Sequence, residues 1–216
     1  MSRRKPIPTE PFELEILRLS PEGRGVARTE EGKAIFVSGA LPGERVRARI
    51  VKRHRRHDDA SVIEVLSASA DRVEPSCAAF ALCGGCSLQH LDHAKQIESK
   101  QAALLEQFER IAGLKPKAVM PPIIGPTLGY RRTARIGVKH VDKRGEVLVG
   151  FREKHSSYIV DMQACPVLVP QVGEQIAALR TLIAGLEAKS RIAQIQVAAG
   201  DDATVLVLRN LDPLSE

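Results

Sequence analysis

The stretch RVRARIVKRHRR occupies residues 45–56. Arg45, Arg47 and Arg49 share one parity, and Val46, Ala48 and Ile50 share the other. Successive side chains of a strand leave opposite faces, so the stretch predicts a strand with guanidinium groups on one face and a packed surface on the other. The basic run continues through Lys52, Arg53, Arg55 and Arg56. Basic residues also guard ordinary edge strands. This row is longer and more one-signed than edge protection needs, which favours a polyanionic partner, nucleic acid above all.

The flanking segments read the same way. FELEILRL (12–19), GRGVART (23–29) and KAIFVSGAL (33–41) come before it, the turn LPGE (41–44) leads in, and ASVIEVLSAS (60–69) follows. Five short strands with turn punctuation and no helical period predict a small OB-like barrel over residues 7–70.

Beyond the barrel the pattern changes. DHAKQIESKQAALLEQFERIAGL (92–114) predicts one amphipathic helix, with Asp92 as N-cap and Gly113 at its end. Ile97, Leu104, Leu105, Phe108 and Ile111 form its apolar stripe, for which core packing is the default expectation. MPPIIGPTLG (120–129) reads as a linker. Strands are expected at YRRTARIGVKH (130–140) and GEVLVGFREK (145–154), with YIVDMQACPVL (158–168) following. A helix is expected at 170–187 and a hairpin from RIAQIQVAAG (191–200) and ATVLVLRN (203–210). The fold class is therefore mixed β and α+β.

Composition narrows the function. The 216 residues carry a net charge of +6, and 44% are hydrophobic, as in a globular chain. The basic excess is concentrated in 1–74 and 128–160. With no Trp, two Tyr and five Phe, a platform stacking several bases is poorly supplied. The basic N-terminus has no apolar run behind it, and no stretch reaches the roughly 18 apolar residues of a spanning helix. A cytoplasmic chain with reduced thiols is expected.

Three of the four cysteines fall in CAAFALCGGC, residues 77–86, as C-x5-C-x2-C; the fourth, Cys165, stands far along the chain before Pro166. Structural zinc sites usually take paired knuckles, and only one knuckle is present. A compact three-cysteine loop with a remote Cys-Pro is a common way to hold a four-iron cluster. On spacing alone the cluster is favoured, with zinc and unligated core thiols as alternatives. Radical enzymes that use S-adenosylmethionine typically show C-x3-C-x2-C and lack a fourth cysteine ligand, so an open catalytic cluster is disfavoured.

The run C-x5-CGGC-x-LQHL, with Gln96 and Lys100 and with GYRRTAR at 129–135, resembles the N-terminal half of bacterial 23S ribosomal RNA uracil-C5 methyltransferases of the RlmD type. GRGVA (23–27) and LPGERV (41–46) resemble a TRAM domain. The resemblance implies that Cys77, Cys83, Cys86 and Cys165 ligate a 4Fe-4S cluster. It implies that the barrel holds RNA and that a basic strand at Tyr130, Arg131, Arg132 and Arg135 faces it. It divides the chain into a TRAM-like barrel (7–70), a cysteine loop (71–91), a helix and linker that pack on a methyltransferase domain (92–127), and a central α+β domain (128–216). It implies a monomer acting on ribosomal RNA, with no membrane partner. In that family a further C-terminal domain supplies the S-adenosylmethionine site, a nucleophilic cysteine and a carboxylate base. No G-x-G turn of the cofactor-binding kind is present here, and no thiol is left over as a nucleophile. A truncated, catalytically inactive chain is expected. The alternative is a stand-alone RNA-binding module with a structural or redox-sensing iron–sulfur or zinc site.

Overall fold

The computed structural model describes residues 10–213, so residues 7–9 and 214–216 of the expected domains lie outside it. The chain divides into two compact units. One takes in the described residues up to Pro75 together with Ser87–Pro122; the other takes in Ser76–Cys86 and the chain from Ile123 onward.

The first unit carries six strands: β1 Phe12–Glu15, β2 Arg18–Leu19, β3 Gly25–Arg28, β4 Ala34–Ser38, β5 Arg45–Arg53 and β6 His57–Ser67. They form one sheet in the order β1-β5-β6-β4-β3-β2. β4 and β6 are parallel and the other pairs antiparallel. β1 and β2 lie at opposite ends of this order, yet only Ile16 and Leu17 separate them in sequence. Two residues span about 7 Å, so the sheet must curl until its ends meet. The expected parity of β5 holds: Val46, Ala48 and Ile50 are buried, and Arg45, Arg47 and Arg49 are exposed. Ile16, Val37, Val46, Ala48 and Ala60 form the core of this sheet.

Six strands replace the five expected, because FELEILRL breaks at its centre. Ile16 is buried, its N–H donates to Glu44 O at 2.9 Å, and its carbonyl accepts from Gly43 N at 2.8 Å. Those bonds turn the backbone out of one ladder and into the next. Glu44 is fully buried and held by a fork from Arg72, with Nε on one oxygen at 2.6 Å and Nη2 on the other at 2.7 Å. Leu41 N–H adds a bond at 2.8 Å.

Helix α1 spans His93–Ala112. Asp92 accepts from Ala94 N at 2.9 Å and from Lys95 N at 3.3 Å, satisfying two of the first turn's free donors. Gly113 closes the helix at φ 64°, the left-handed conformation that costs glycine least. The expectation of core packing for the stripe is corrected: α1 has no buried residue, and Leu104, Phe108 and Ile111 are 53%, 44% and 80% exposed.

The second unit holds an antiparallel sheet in the order β10-β9-β7-β8, from β7 Thr133–Val141, β8 Glu146–Gly150, β9 Ile192–Ala199 and β10 Thr204–Asn210. Ile136, Val149, Leu168, Ile176, Ile183 and Ile195 lie in its core. The single helix expected at 170–187 is two, α2 Pro170–Gly173 and α3 Ile176–Ala184, followed by a 3-10 turn at Glu187–Ser190. The carbonyl of Gly173 is taken by Cys165 N–H at 2.8 Å. In an unbroken helix that carbonyl would accept from the N–H four residues on. Residues 158–168 carry only isolated bridges, so Cys165 lies in irregular backbone.

Candidate functional site

The cysteine loop is a tight wrap. Phe80 N–H donates to Cys77 O at 2.9 Å and Cys83 N–H to Ala79 O at 2.7 Å. The segment after β8 then binds the loop edge: Gly84 N–H donates to Arg152 O and Lys154 N–H to Leu82 O, both at 2.8 Å, and Cys83 bridges Glu153. Gly84 allows this closeness, since a Cβ there would stand 3.0 Å from Arg152 O, tighter than ordinary contact, while a Cβ on Gly85 would meet Cys83 Sγ at an ordinary 3.4 Å. Gly85 N–H points at that same sulfur, 3.3 Å away.

Cys165 joins the loop in the second unit. Cys83 and Cys165 are 6% and 5% exposed, while Cys77 and Cys86 are partly buried. Burial pushes the thiols of Cys83 and Cys165 up. Cys83 also feels Cys86, Cys77 and Cys165 as like charges, and Cys165 feels Cys86 and Cys77. Backbone N–H groups oppose the shift, Gly85 at Cys83 and Leu168 and Val167 at Cys165. Four soft donors with amide groups aimed at sulfur can hold zinc or an iron–sulfur cluster.

The basic residues separate into two kinds. On β5, Arg45, Arg47 and Arg49 line the solvent face, Arg47 pairing with Glu64 of β6. Lys52, Arg53, Arg55 and Arg56 continue the row, all exposed. Around β7 the arginines differ. Arg131 is half-buried; its guanidinium donates to Gly85 O at 3.2 Å and stands 6.0 Å from the centre of the Phe151 ring. Its backbone N–H donates to Val167 O at 2.8 Å, two residues from Cys165. Arg131 is thus committed to the cysteine neighbourhood. Arg132 pairs with Asp201 at 2.7 Å, and Arg135 and Tyr130 are exposed.

Sequence reasoning missed two features. Lys154, half-buried, donates its ammonium to Phe80 O at 2.7 Å and lies 4.2 Å over the Phe80 ring. Nothing in FREK marks that lysine as different from its neighbours. The second is a group of His54, His57 and Asp59 with ligand atoms within 4.8 Å. His54 Nε2 lies 3.0 Å from Asp59 Oδ2, and the two imidazoles stack at 4.3 Å. Arg24 already donates to Asp59 Oδ1 at 2.8 Å. Burial raises the Asp59 carboxyl, but His54 and Arg24 outweigh it and hold the group below the usual carboxylate range. A cation occupies that carboxylate already, which makes the group an ion-pair network.

A curled sheet with a basic face is the form of a small nucleic-acid-binding domain, and residues 10–63 match the TRAM domain. Over 99% of its length the chain is 52% identical to the 23S rRNA (uracil(1939)-C(5))-methyltransferase RlmD of Alkalilimnicola ehrlichii and 50% identical to that of Alcanivorax borkumensis, covering 48% of each. The chain resembles the N-terminal half of these proteins and spans about half the length of the curated relatives it matches. Among solved structures it is similar to the Pyrococcus abyssi tRNA (uracil-54, C5)-methyltransferase in complex with S-adenosyl-L-homocysteine. The TM-score is 0.62 at 25% identity, over 91% of this chain and 44% of that one. Among the described residues no helix is long and apolar enough to cross a membrane.

Proposed function

We propose that these residues are the RNA-recognition and iron–sulfur half of an S-adenosylmethionine-dependent 23S ribosomal RNA uracil-C5 methyltransferase, acting as a cytoplasmic monomer. The observation that carries the reading is the packing of Cys83 and Cys86 with the remote Cys165 in one core, in a chain so similar to RNA methyltransferases. The donor set fits a four-iron cluster: four thiols, a glycine cradle, and an N–H aimed at Cys83 Sγ. When bound, the cluster supplies a cross-link between the loop and the Cys165 segment.

The arginine row of β5 would grip phosphates, which give affinity without reading sequence. Arg135, exposed on the second unit's sheet, would add a phosphate contact of its own. The bare stripe of α1 is followed in the same unit by exposed Val119 and Met120. Such an apolar surface suits the packing of a methyltransferase domain. The methyl transfer itself draws on groups outside these residues, since all four thiols are assigned as ligands.

Anaerobic purification with iron, sulfide and zinc analysis tests the reading. Four irons and four sulfides per chain are expected, with visible charge-transfer absorption. Zinc without sulfide would reduce the site to the staple of an RNA-binding module. The 216-residue chain should neither bind S-adenosylmethionine nor methylate RNA; methyl transfer by the pure chain would reveal an active site within it.

A further inference from the structure

We propose that Lys154 is the counter-charge of the four-thiol site, holding its negative charge in partly buried surroundings and setting how readily the bound cluster accepts an electron. Its role rests on the four-thiolate reading above. A charge taken out of water is ordinarily paired, because leaving it alone is costly. Among the described residues no carboxylate pairs with Lys154. Its ammonium instead donates to Phe80 O, inside the Cys77–Cys83 span, and lies over the Phe80 ring. Its backbone N–H is fixed to Leu82 O at 2.8 Å, so the side chain is anchored beside the loop at both ends.

Desolvation pushes the ammonium toward neutrality, and Cys83 and Cys86, once ionised, oppose that push. With neutral thiols the lysine would be a charge without a counter-ion. With thiolates bound to iron the balance closes. Four thiolates on a four-iron cluster leave a net negative site, and reduction adds one more charge. A cation within the loop stabilises the reduced form more than the oxidised form.

The competing account is that Lys154 only caps the Phe80 carbonyl. Three variants of the full chain separate the two. Lys154→Met removes charge and hydrogen bond, Lys154→Gln keeps a donor without charge, and Lys154→Arg keeps the charge. Each is purified anaerobically, assayed for iron and sulfide, and titrated electrochemically. The expected result is a fall in midpoint potential for Met and Gln alike, of about tenfold in the reduction equilibrium, roughly 59 mV for one electron. Arg should stay near wild type. If Met and Gln fail to hold a cluster while Arg holds it, the need for charge is equally supported. A potential unchanged in Met and Gln overturns the proposal, as does cluster loss in all three variants. A wild-type chain that takes up neither iron nor sulfide overturns the reading of the site itself, and the counter-charge role with it.

Discussion

The two units balance their buried charge differently. In the first, every deeply placed carboxylate has its cation in the same unit: Glu44 with Arg72, Asp58 with Lys33 at 2.6 Å, Asp59 with Arg24. In the second, Lys154 has no carboxylate among the described residues, and two thiols are buried against their own ionisation. The contrast teaches that the curled sheet is electrostatically complete as a polypeptide. In the cysteine unit Lys154 lies near the buried thiols, with no carboxylate among the described residues to pair with it. A buried ion pair left whole contributes little net stability, but breaking it exposes the full cost of the remaining charge.

Glu44→Ala should give the largest effect. It strands Arg72 and empties the position that also holds Leu41 N–H. A loss of about 3–5 kcal/mol is expected, read from urea unfolding, and a loss near zero would break the claim that the first unit closes its own charge. The same residue predicts an acid limit. Burial raises the Glu44 carboxyl, but bonds from Arg72, Leu41 and Ser69 outweigh it and leave the pKa lowered. A depressed folded pKa means the stabilisation is present above the unfolded value of about 4.3 and is lost as pH falls through the folded value. Glu44→Gln should flatten that part of the stability-versus-pH curve.

Cys165→Ala comes next. As a fourth ligand, Cys165 would close a long stretch of chain, comparable with a disulfide worth about 2–4 kcal/mol. Iron per chain and the unfolding midpoint should both fall. Full iron and sulfide with an unchanged midpoint would leave the second unit as self-sufficient as the first. The smallest effect on stability, and a large one on binding, belongs to Arg45, Arg47 and Arg49. Their joint replacement by Ala should change stability by little. It should weaken RNA binding and reduce the salt slope by about 0.7 log units per lost phosphate contact on a single strand. An unchanged slope would remove this face from RNA contact.

What the sequence disclosed follows from how local each cause is. The parity of β5 and the caps of α1 depend on residues within a turn of one another, and both were legible. The split of FELEILRL depends on Gly43 and Glu44, far along the chain, and was not. The stripe of α1 has the spacing of a core face, but spacing states only that a surface is apolar and not what covers it. The cysteine pattern picks out four thiols without showing that they fold into one unit, while Arg131 reads in sequence like any basic strand residue. Only its bond to Gly85 O distinguishes it from Arg135.

The order in which the chain visits its units has a consequence for synthesis. It leaves the first unit after Pro75, spends eleven residues, Ser76–Cys86, in the second, and returns to the first for Ser87–Pro122. The loop with three thiols is therefore made long before Cys165. At translation speeds of roughly 5–20 residues per second, the distance from Cys86 to Cys165 takes about 4–16 s. Through that interval the nascent chain carries three of its four cysteines with the wrapping segment Arg152–Lys154 still to come. Assembly of the second unit is thus set by the ribosome's clock, and an oxidant or a stray metal has seconds in which to reach the early thiols first.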